Sequence, residues 1–482
     1  MTRSLNYIPD NIFRIHLMGV GGTGMAAMAG LLKKKGFVVS GSDYQVYPPM
    51  SHFLAAEGIK IMESYRPENL SPPPDLVIVG NVIRGENPEA RGLMDMAIPY
   101  ASFPQALGHF FLRHKTPVVI SGTHGKTTTS SILATAMYGM GFDPGFLIGG
   151  IVRAFGRNFR IGTGRYFVVE GDEYDTAFFD KGPKFLHYQP GIGVVTGIEF
   201  DHADIYQSLE EIKEAFRRFI GIIPPEGCLV ACLDDPVVRE LAAGAACRVL
   251  SYGTDPAFDW SITNIRVEGE GTYFRVLRKN LFYHDFFIKM IGRHNALNSL
   301  AVIAVLDSLG VSAKSVAEQL SVFKGVRRRQ EVLGEVEGIT VIDDFAHHPS
   351  AVRETLESLN QAYEGRPLVV VFEPRTNSSR RSVFQDTYSR VFSRASEVVV
   401  KEPVPLACLP DQELFSAVKL VGDLRQRNIK ASCYSDTGDI VSYLISSLRP
   451  GDVVAILSNG GFDNIHERLL TALQKSWVNK NE

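Results

Sequence analysis

The sequence lacks a disulfide framework, a long apolar run and an excess of charge of one sign, and each absence excludes a class of protein. Its five cysteines are too few, and odd in number, for a disulfide scaffold. No apolar run approaches the roughly 18 residues that a membrane-spanning helix needs. Residues 1–11 contain no apolar signal-peptide core. We therefore expect a cytoplasmic protein without membrane insertion.

The charges of the chain nearly cancel. Fifty lysines and arginines stand against 53 aspartates and glutamates, a net charge of −3. Nucleic-acid binding usually requires a basic excess or a basic patch, so we expect no nucleic-acid partner. Hydrophobic residues make up 45% and charged residues 21% of the chain, which excludes disorder of the whole chain.

Predicted strands alternate with predicted helices along the whole chain, which indicates an α/β protein with parallel sheets. The length of 482 residues favours about three domains. We predict a Rossmann-like first domain over residues 1–115 and a central P-loop ATPase domain over 116–328. The stretch 260–291 is rich in strands and predicts a small antiparallel addition to the central domain. A Rossmann-like third domain is predicted over 329–482.

The first glycine-rich loop, Gly19 to Gly24, follows a predicted strand and opens a predicted helix. Its glycines fit the pattern G-x-G-x-x-G, in which the backbone approaches a diphosphate at a helix N-terminus. Asp43 ends the next strand, at the spacing expected for a ribose contact. Three readings stay open at this point: NAD, another nucleotide diphosphate such as a UDP-sugar, or a tight turn without a ligand.

A second loop, Ser121 to Thr128, is a shortened Walker A sequence between a strand and a helix. Its backbone amides can hold phosphates, Lys126 can reach the β- and γ-phosphates, and the hydroxyl of Thr127 can bind Mg²⁺. The loop therefore predicts an ATP site. The candidate residues are Gly122, Thr123, His124, Gly125, Lys126, Thr127 and Thr128.

Two further side chains are candidates for the metal site of this ATP loop. Glu170 ends an apolar strand, and His202 follows another. Because the carboxyl ends of parallel strands meet at one edge of a sheet, we expect both near the ATP loop. The alternatives are a solvated acidic turn for Glu170 and a capping or core histidine for His202. His124 is a candidate ligand or polarising group, or else an ordinary loop histidine.

Taken together, these residues resemble the Mur ligases of peptidoglycan synthesis, in order and over nearly the whole chain. The resemblance implies that the segment 292–298 places Asn295 against the adenine nucleotide. The segments 327–331 and 343–349 likewise assign the nucleotide to Arg329 and Asp344. It also implies that the first loop binds a UDP-sugar, through Gly19, Gly21, Gly22, Thr23, Gly24, Ser42 and Asp43.

The family resemblance implies an ATP-dependent amide ligase that forms an acyl phosphate, with Mg²⁺ as its cofactor. The implied catalytic residues are Lys126, His124, Glu170 and His202, and the implied metal ligands are Thr127, Glu170 and His202. Several Mur ligases carry a carbamylated lysine downstream of the metal-site histidine. The matching slot here holds Phe216 or Arg217, which favours the members that lack this lysine.

Two kinds of family member fit that description. One joins UDP-N-acetylmuramate to L-alanine, and the other joins it to the tripeptide L-Ala-γ-D-Glu-meso-diaminopimelate. The segments 170–181, 372–377 and 458–462 resemble the second kind, so the tripeptide is the expected acceptor and L-alanine the alternative. The acceptor candidates are Arg375, Asn377 and Asn459, with a structural ion pair as the alternative for Arg375.

The remaining alternatives explain less of the sequence. An NAD-dependent dehydrogenase would account for the first loop only. It would leave the ATP loop and His202 without a role. We expect ATP, UDP-N-acetylmuramate and a cell-wall tripeptide as small-molecule partners, and a monomer or weak homodimer.

Overall fold

A computed structural model describes residues 5–46, 50–406, 409–410 and 413–481 of the chain, with side chains as far as residue 475. Its helices and strands form an α/β fold, which confirms the predicted class. Among the described residues, no helix combines the length and the apolar character needed to cross a bilayer. The chain divides into two compact units. The first comprises Met1–Ile198, Leu209–Trp260 and Ala301–Gln319, and the second Glu199–Ser208, Ser261–Leu300 and Leu320–Glu482.

The first sheet consists of five parallel strands: β1 (Arg14–Met18), β2 (Val38–Asp43), β3 (Lys60–Glu63), β4 (Leu76–Val79) and β5 (Tyr100–Ser102). Their order is β3-β2-β1-β4-β5. The accompanying helices are α1 (Thr23–Lys34), α2 (Met50–Ala56), α3 (Pro88–Asp95) and α4 (Phe103–Leu107). A capping box between Ser102 and Gln105 fixes the start of α4. This sheet confirms the Rossmann-like character of the N-terminal region.

The second sheet carries the ATP loop. Its strands in the first unit are β6 (Thr116–Ser121), β7 (Gly145–Val152), β8 (Arg157–Arg160), β9 (Tyr166–Gly171), β12 (Ile192–Val195), β13 (Cys228–Cys232) and β14 (Arg248–Gly253). They run in the order β14-β13-β12-β6-β9-β7-β8, and β8 alone of these seven is antiparallel to its neighbour. A hairpin of β10 (Asp175–Ala177) and β11 (Asp180–Pro183) follows β9, and the helices are α5 (Lys126–Gly139), α6 (Leu209–Gly221) and α7 (Pro236–Ala242).

The predicted antiparallel addition is present as β15 (Trp260–Glu268), β16 (Gly271–Arg278) and β17 (Leu281–Ile288). Arg278 pairs with Leu281, so β16 and β17 are joined by the two-residue turn of Lys279 and Asn280. Both turn residues have positive φ angles, of 50° and 61°, as a tight hairpin turn requires. Helices α8 (Arg293–Ser308) and α9 (Ala313–Ser321) follow.

The third sheet has six strands: β18 (Glu331–Val336), β19 (Ile339–Asp344), β20 (Leu368–Phe372), β21 (Glu397–Lys401), β22 (Lys430–Tyr434) and β23 (Val453–Leu457). The order is β18-β19-β23-β20-β21-β22, and β18 alone of the six runs antiparallel to its neighbour. Apolar clusters cover both faces, as a Rossmann-like sheet requires. The helices are α10 (Pro349–Ala362), α11 (Gln385–Val391), α12 (Ala417–Gln426), α13 (Thr437–Ser447) and α14 (Ile465–Asn481).

Candidate active site

The first glycine loop is anchored to the end of β2. Gly19 has a φ of +82°, which glycine adopts without strain, and its N–H donates to the carbonyl oxygen of Ser42 at 2.9 Å. The N–H of Gly21 donates to Oδ2 of Asp43 at 2.8 Å. Asp43 thus holds the loop itself, a role beyond the predicted ribose contact. The remaining candidates, Gly22, Thr23 and Gly24, lead into the first turn of α1.

The side chain of Ser42 belongs to a buried polar network. Its hydroxyl donates to Oε1 of Glu89 at 2.9 Å, and the same oxygen lies 2.7 Å from Nε2 of His16. His16, Ser42 and Glu89 are all buried. Because this hydroxyl already has a buried partner, Ser42 supports the loop through its carbonyl oxygen, and its role as a sugar ligand stays a prediction. Sequence reasoning missed His16 and Glu89, because they lie far apart in the chain.

The ATP loop connects β6 to α5 through two glycines with positive φ angles, Gly122 at 131° and Gly125 at 82°. A Cβ on Gly122 would lie 2.2 Å from Oγ1 of Thr196, so only glycine fits that position. The N–H of Thr123 donates to the carbonyl oxygen of residue 197 at 2.8 Å, and the carbonyl oxygen of His124 accepts a hydrogen bond from Thr196 at 2.5 Å. The loop is therefore held against the end of β12.

Lys126 and Thr127 open α5, and each contacts a carboxylate. Nζ of Lys126 lies 2.9 Å from Oε2 of Glu173 and donates to the carbonyl oxygen of Gly122 at 2.6 Å. Burial alone would lower the pKa of Lys126, but the carboxylates of Glu173, Asp172 and Glu170 hold it above its usual value. The hydroxyl of Thr127 donates to Oε2 of Glu170 at 3.2 Å. The hydroxyl of Thr128 is buried one residue further along α5.

Both carboxylate oxygens of Glu170 have hydrogen-bond partners. Its Oε1 accepts the N–H of Gly149 at 2.6 Å, while Oε2 faces Thr127. A hydroxyl and a carboxylate oxygen are the hard oxygen ligands that Mg²⁺ prefers. The predicted neighbours Thr127 and Glu170 therefore lie together, and their chemistry fits Mg²⁺.

Glu173 is a charged group of this site that sequence reasoning missed. The acidic run 170–175 was visible in the sequence, but the pattern favoured Glu170 as the strand-ending acid. Glu173 is buried and pairs with Lys126, so it neutralises the cation that the sequence predicts to bind phosphate.

His202 lies in the second unit, on the segment Glu199–Ser208. It has a φ of +54°, which is uncommon for a residue with a side chain, and its N–H donates to Oδ1 of Asp201 at 2.7 Å. Burial opposes ionisation of Asp201, yet His202, His348 and His347 hold the pKa of its carboxyl well below the usual range. One histidine of this segment and two that directly precede α10 therefore act on one buried carboxylate.

The same segment contacts the loop that follows β20. The N–H of Ala203 donates to Oγ of Ser378 at 3.1 Å, and Nδ2 of Asn377 donates to Oδ2 of Asp204 at 2.7 Å. Asn377 is an acceptor candidate, so His202 and the predicted acceptor loop lie on adjoining parts of one unit.

The three candidates for the adenine nucleotide meet around the turn that leads into β18. Nδ2 of Asn295 donates to Oε1 of Gln330 at 3.2 Å, and the N–H of Gln330 donates to Oδ2 of Asp344 at 2.8 Å. The guanidinium of Arg329 lies 4.7 Å from the centre of the Phe345 ring. Burial raises the pKa of the Asp344 carboxyl, and the positive charge of Arg329 opposes that rise. The structure therefore brings Asn295, Arg329 and Asp344 together in the second unit.

The acceptor candidates lie beyond β20 and β23. Nη1 of Arg375 forms a long ion pair with Oε1 of Glu373 at 3.9 Å, and the Arg375 side chain is 48% exposed, so the structural ion pair considered for it is present and its role in acceptor binding stays a prediction. A Cβ on Gly460 would lie 2.3 Å from Cδ of Arg375, so Arg375 packs closely on the segment that carries Asn459. Oδ1 of Asn459 is a buried atom without a hydrogen-bond partner among the described residues.

Arg380 extends this group of cationic side chains. Its guanidinium donates to Oδ1 of Asn377 at 3.1 Å and to the carbonyl oxygen of Val404 at 3.2 Å. Burial, together with the charge of Arg375, lowers the pKa of Arg380. Among the described residues it has no carboxylate partner, so this part of the third sheet carries positive charge that an anionic ligand would neutralise.

Three family models match the chain in order. Residues 14–115 match "Mur ligase family, catalytic domain", residues 120–306 match "Mur ligase middle domain", and residues 328–460 match "Mur ligase, glutamate ligase domain".

Three similar proteins span nearly the whole chain. The UDP-N-acetylmuramate–L-alanyl-γ-D-glutamyl-meso-2,6-diaminoheptandioate ligase of Haemophilus influenzae is 36% identical, and the match covers 95% of this chain and 99% of that protein. The UDP-N-acetylmuramate–L-alanine ligase of Carboxydothermus hydrogenoformans is 35% identical, and the match covers 95% of this chain and 96% of that protein. The crystal structure of a murein peptide ligase from Psychrobacter arcticus has a TM-score of 0.74 at 33% identity, with 96% and 98% covered.

Proposed function

The chain belongs to the Mur ligase family, and from this premise we propose that it joins UDP-N-acetylmuramate to the tripeptide L-Ala-γ-D-Glu-meso-diaminopimelate. As a member of that family it is an ATP-dependent ligase. The observation that carries the chemistry is the ATP loop, in which Lys126 faces the buried Glu173 just after β9 and Thr127 faces the half-buried Glu170 near the end of β9.

The proposed reaction has two steps. The carboxylate of the UDP-sugar attacks the γ-phosphorus of ATP, which forms an acyl phosphate and releases ADP. The amine of the acceptor then attacks the acyl carbon, and inorganic phosphate leaves as the amide forms. Two anions must approach each other in the first step, so positive charge at the γ-phosphate is essential.

Lys126 supplies that charge from the protein. Lys126 pairs with Glu173 in the structure, and the proposal is that the γ-phosphate of ATP replaces Glu173 as its partner. Mg²⁺, when bound, neutralises phosphate charge, and Thr127 and Glu170 would hold it, with His202 as a further ligand. His124 is proposed to face the reacting groups from the same loop.

The charge around the third sheet favours the tripeptide over L-alanine. A tripeptide brings several carboxylates besides its reacting amine, and each needs a cationic or amide partner when it is bound. Arg380 lacks a carboxylate partner among the described residues, the ion pair of Arg375 with Glu373 is long at 3.9 Å, and Oδ1 of Asn459 lacks a donor. Free L-alanine has one carboxylate and would leave most of these groups unsatisfied. The similarity to the Haemophilus influenzae ligase supports the same choice.

Each of the three predicted domains is proposed to bind a different substrate. Residues 1–115 bind the UDP-sugar through the first loop, residues 116–328 bind ATP, and residues 329–482 bind the acceptor. Asn295, Arg329 and Asp344 bind the adenine nucleotide. The spans of the three family models, 14–115, 120–306 and 328–460, support these limits.

Phosphate release tests the proposed function directly. The protein is mixed with ATP, Mg²⁺ and UDP-N-acetylmuramate, and either the tripeptide or L-alanine is added. We expect phosphate release that needs all the components and a kcat/KM for the tripeptide at least about tenfold above that for L-alanine, the scale of one satisfied charged contact. An equal or higher kcat/KM for L-alanine would identify the alternative ligase. Oxidation of NADH without ATP would favour the dehydrogenase.

A further inference from the structure

Lys184 is a buried cation outside both glycine loops. It begins a short helical turn directly after β11. Its side chain is 10% exposed, and Nζ lies 3.5 Å from Oδ2 of Asp172, the limit for a hydrogen bond. Its other close surroundings are aromatic faces, with the ring centres of Tyr174 at 4.0 Å and Phe103 at 5.7 Å from Nζ. An ammonium group has three donors, so Lys184 has capacity for a further anionic partner.

The position of Lys184 lies between the two glycine loops, which both belong to the first unit. On one side is Phe103, whose ring lies 3.7 Å from the place that a Cβ of Gly24 would take. On the other side is Asp172, adjacent in sequence to Glu173, the partner of Lys126. Burial lowers the pKa of Lys184. The carboxylates of Asp172 and Glu173 oppose this shift, and the charge of Lys126 adds to it.

The hairpin of β10 and β11 fixes this position. Phe178 and Phe179 at its tip pack against the apolar cluster of the first sheet, and the ring centres of Phe179 and Tyr100 are 4.8 Å apart. The base of the hairpin continues from the acids that follow β9. Because the hairpin contacts the first sheet and leads directly into Lys184, it holds the lysine in place between the two loops.

We propose that Lys184 binds the carboxylate of the UDP-sugar and holds it for attack on the γ-phosphate. The inference rests on the proposed function, which places the diphosphate of the sugar at the first loop and the γ-phosphate at Lys126. The reacting carboxylate must then lie between these two points, where Lys184 offers a desolvated positive charge. A charge-assisted hydrogen bond in such a place is strong and selective.

Equilibrium binding of two UDP-sugars tests this assignment. UDP-N-acetylmuramate carries the carboxylate, whereas UDP-N-acetylglucosamine has the same diphosphate and lacks the carboxylate. Calorimetry without ATP or acceptor should show that Lys184→Met raises the Kd for UDP-N-acetylmuramate about tenfold or more, with little change for UDP-N-acetylglucosamine. Lys184→Arg should retain most of the preference. Lys181→Met is the matched control, because Lys181 is 70% exposed on the same hairpin and should leave both affinities unchanged.

Asp172→Asn separates ligand binding from a purely structural ion pair. If Lys184 binds the carboxylate of the sugar, the carboxylate of Asp172 competes with it for the lysine. Asp172→Asn should therefore strengthen the binding of UDP-N-acetylmuramate relative to that of UDP-N-acetylglucosamine, the opposite of the effect of Lys184→Met. This variant also provides the test if Lys184→Met fails to fold. An unchanged preference in folded Lys184→Met, an equal loss for both sugars, or a weakened preference in Asp172→Asn would each overturn the assignment. If the wild-type protein bound neither sugar, the proposed function itself would fail.

Discussion

The two glycine loops have similar backbones, but each is held by a carboxylate in a different way: one carboxylate binds the loop backbone and the other binds a lysine side chain. Both connect a parallel strand to a helix, and Gly19 and Gly125 have the same φ of 82°. In the first loop, Asp43 accepts a backbone N–H of the loop. In the second loop, Glu173 neutralises the side chain of Lys126. This difference supports the proposal that the first loop binds a diphosphate that stays intact, whereas Lys126 of the second loop exchanges its carboxylate partner for a phosphate undergoing transfer.

The largest effect should follow from removing that cation. Lys126→Ala should reduce kcat for ligation by about 10³-fold or more, because phosphate charge is then unopposed in a buried site. The measurement is phosphate release at saturating substrates, with the thermal unfolding midpoint as the check on folding. Lys181→Ala, at an exposed position, should retain wild-type activity. Near-normal turnover of a folded Lys126→Ala protein would remove the functional difference between the loops.

Glu170→Ala should have the next largest effect, on the dependence of the rate on Mg²⁺. Loss of a carboxylate ligand should raise the Mg²⁺ concentration needed for half-maximal rate by about 10- to 100-fold, the range found for disturbed metal sites. Titration of phosphate release with Mg²⁺ measures this shift. Glu210→Ala is the control, because the side chain of Glu210 is largely exposed. An unchanged Mg²⁺ dependence would exclude Glu170 from the metal site.

Asp43→Ala should act on the first loop alone. We expect about a tenfold weaker affinity for the UDP-sugar, since the variant loses both the loop anchor and the predicted ribose contact, each a charge-assisted hydrogen bond. Affinity for ATP should stay close to that of the wild type. Separate binding titrations with the two nucleotides decide the matter. A selective loss of ATP affinity would mean that the ligands of the two loops are exchanged.

Arg375→Ala should have the smallest effect and should spare both loops. Arg375 is half exposed, so its contact with an acceptor carboxylate is partly screened, and we expect the KM for the tripeptide to rise about three- to tenfold. Steady-state kinetics with the tripeptide varied should show this change, with the KM values for ATP and the UDP-sugar unaltered. Arg353→Ala, a half-exposed arginine on α10, is the control. A change in nucleotide KM would place Arg375 outside the acceptor site.

The sequence was sufficient to predict the sheets and the neighbours Thr127 and Glu170. Alternating strands and helices define parallel sheets, and parallel sheets bring the ends of their strands to one edge. The choice of Glu173 as the partner of Lys126 could not be predicted. Glu170, Asp172 and Glu173 are close together in sequence, and side-chain packing selects among them. The network of His16, Ser42 and Glu89 could not be predicted either, because these residues lie far apart in the sequence and meet only in the folded chain.

The segment 199–208 is a second case in which side-chain packing decides what the sequence pattern does not show. The segment Glu199–Ser208 follows a strand of the second sheet, so its sequence position assigns it to the central domain. Its contacts instead group it with the third sheet. Two of its hydrogen bonds to the rest of the second unit, from Ala203 to Ser378 and from Asn377 to Asp204, involve turn residues that leave no periodic signal in the sequence.

Those two hydrogen bonds also constrain how acceptor specificity can be transplanted between related ligases. A chimera cut only at residue 328 would import a foreign Asn377 and Ser378 opposite the resident Ala203 and Asp204. The graft would therefore change one partner of each hydrogen bond and keep the other, although its crossover avoids the helices and strands described above. If Asn377 binds the acceptor as proposed, a chimera that keeps acceptor specificity must exchange 199–208 together with the C-terminal region.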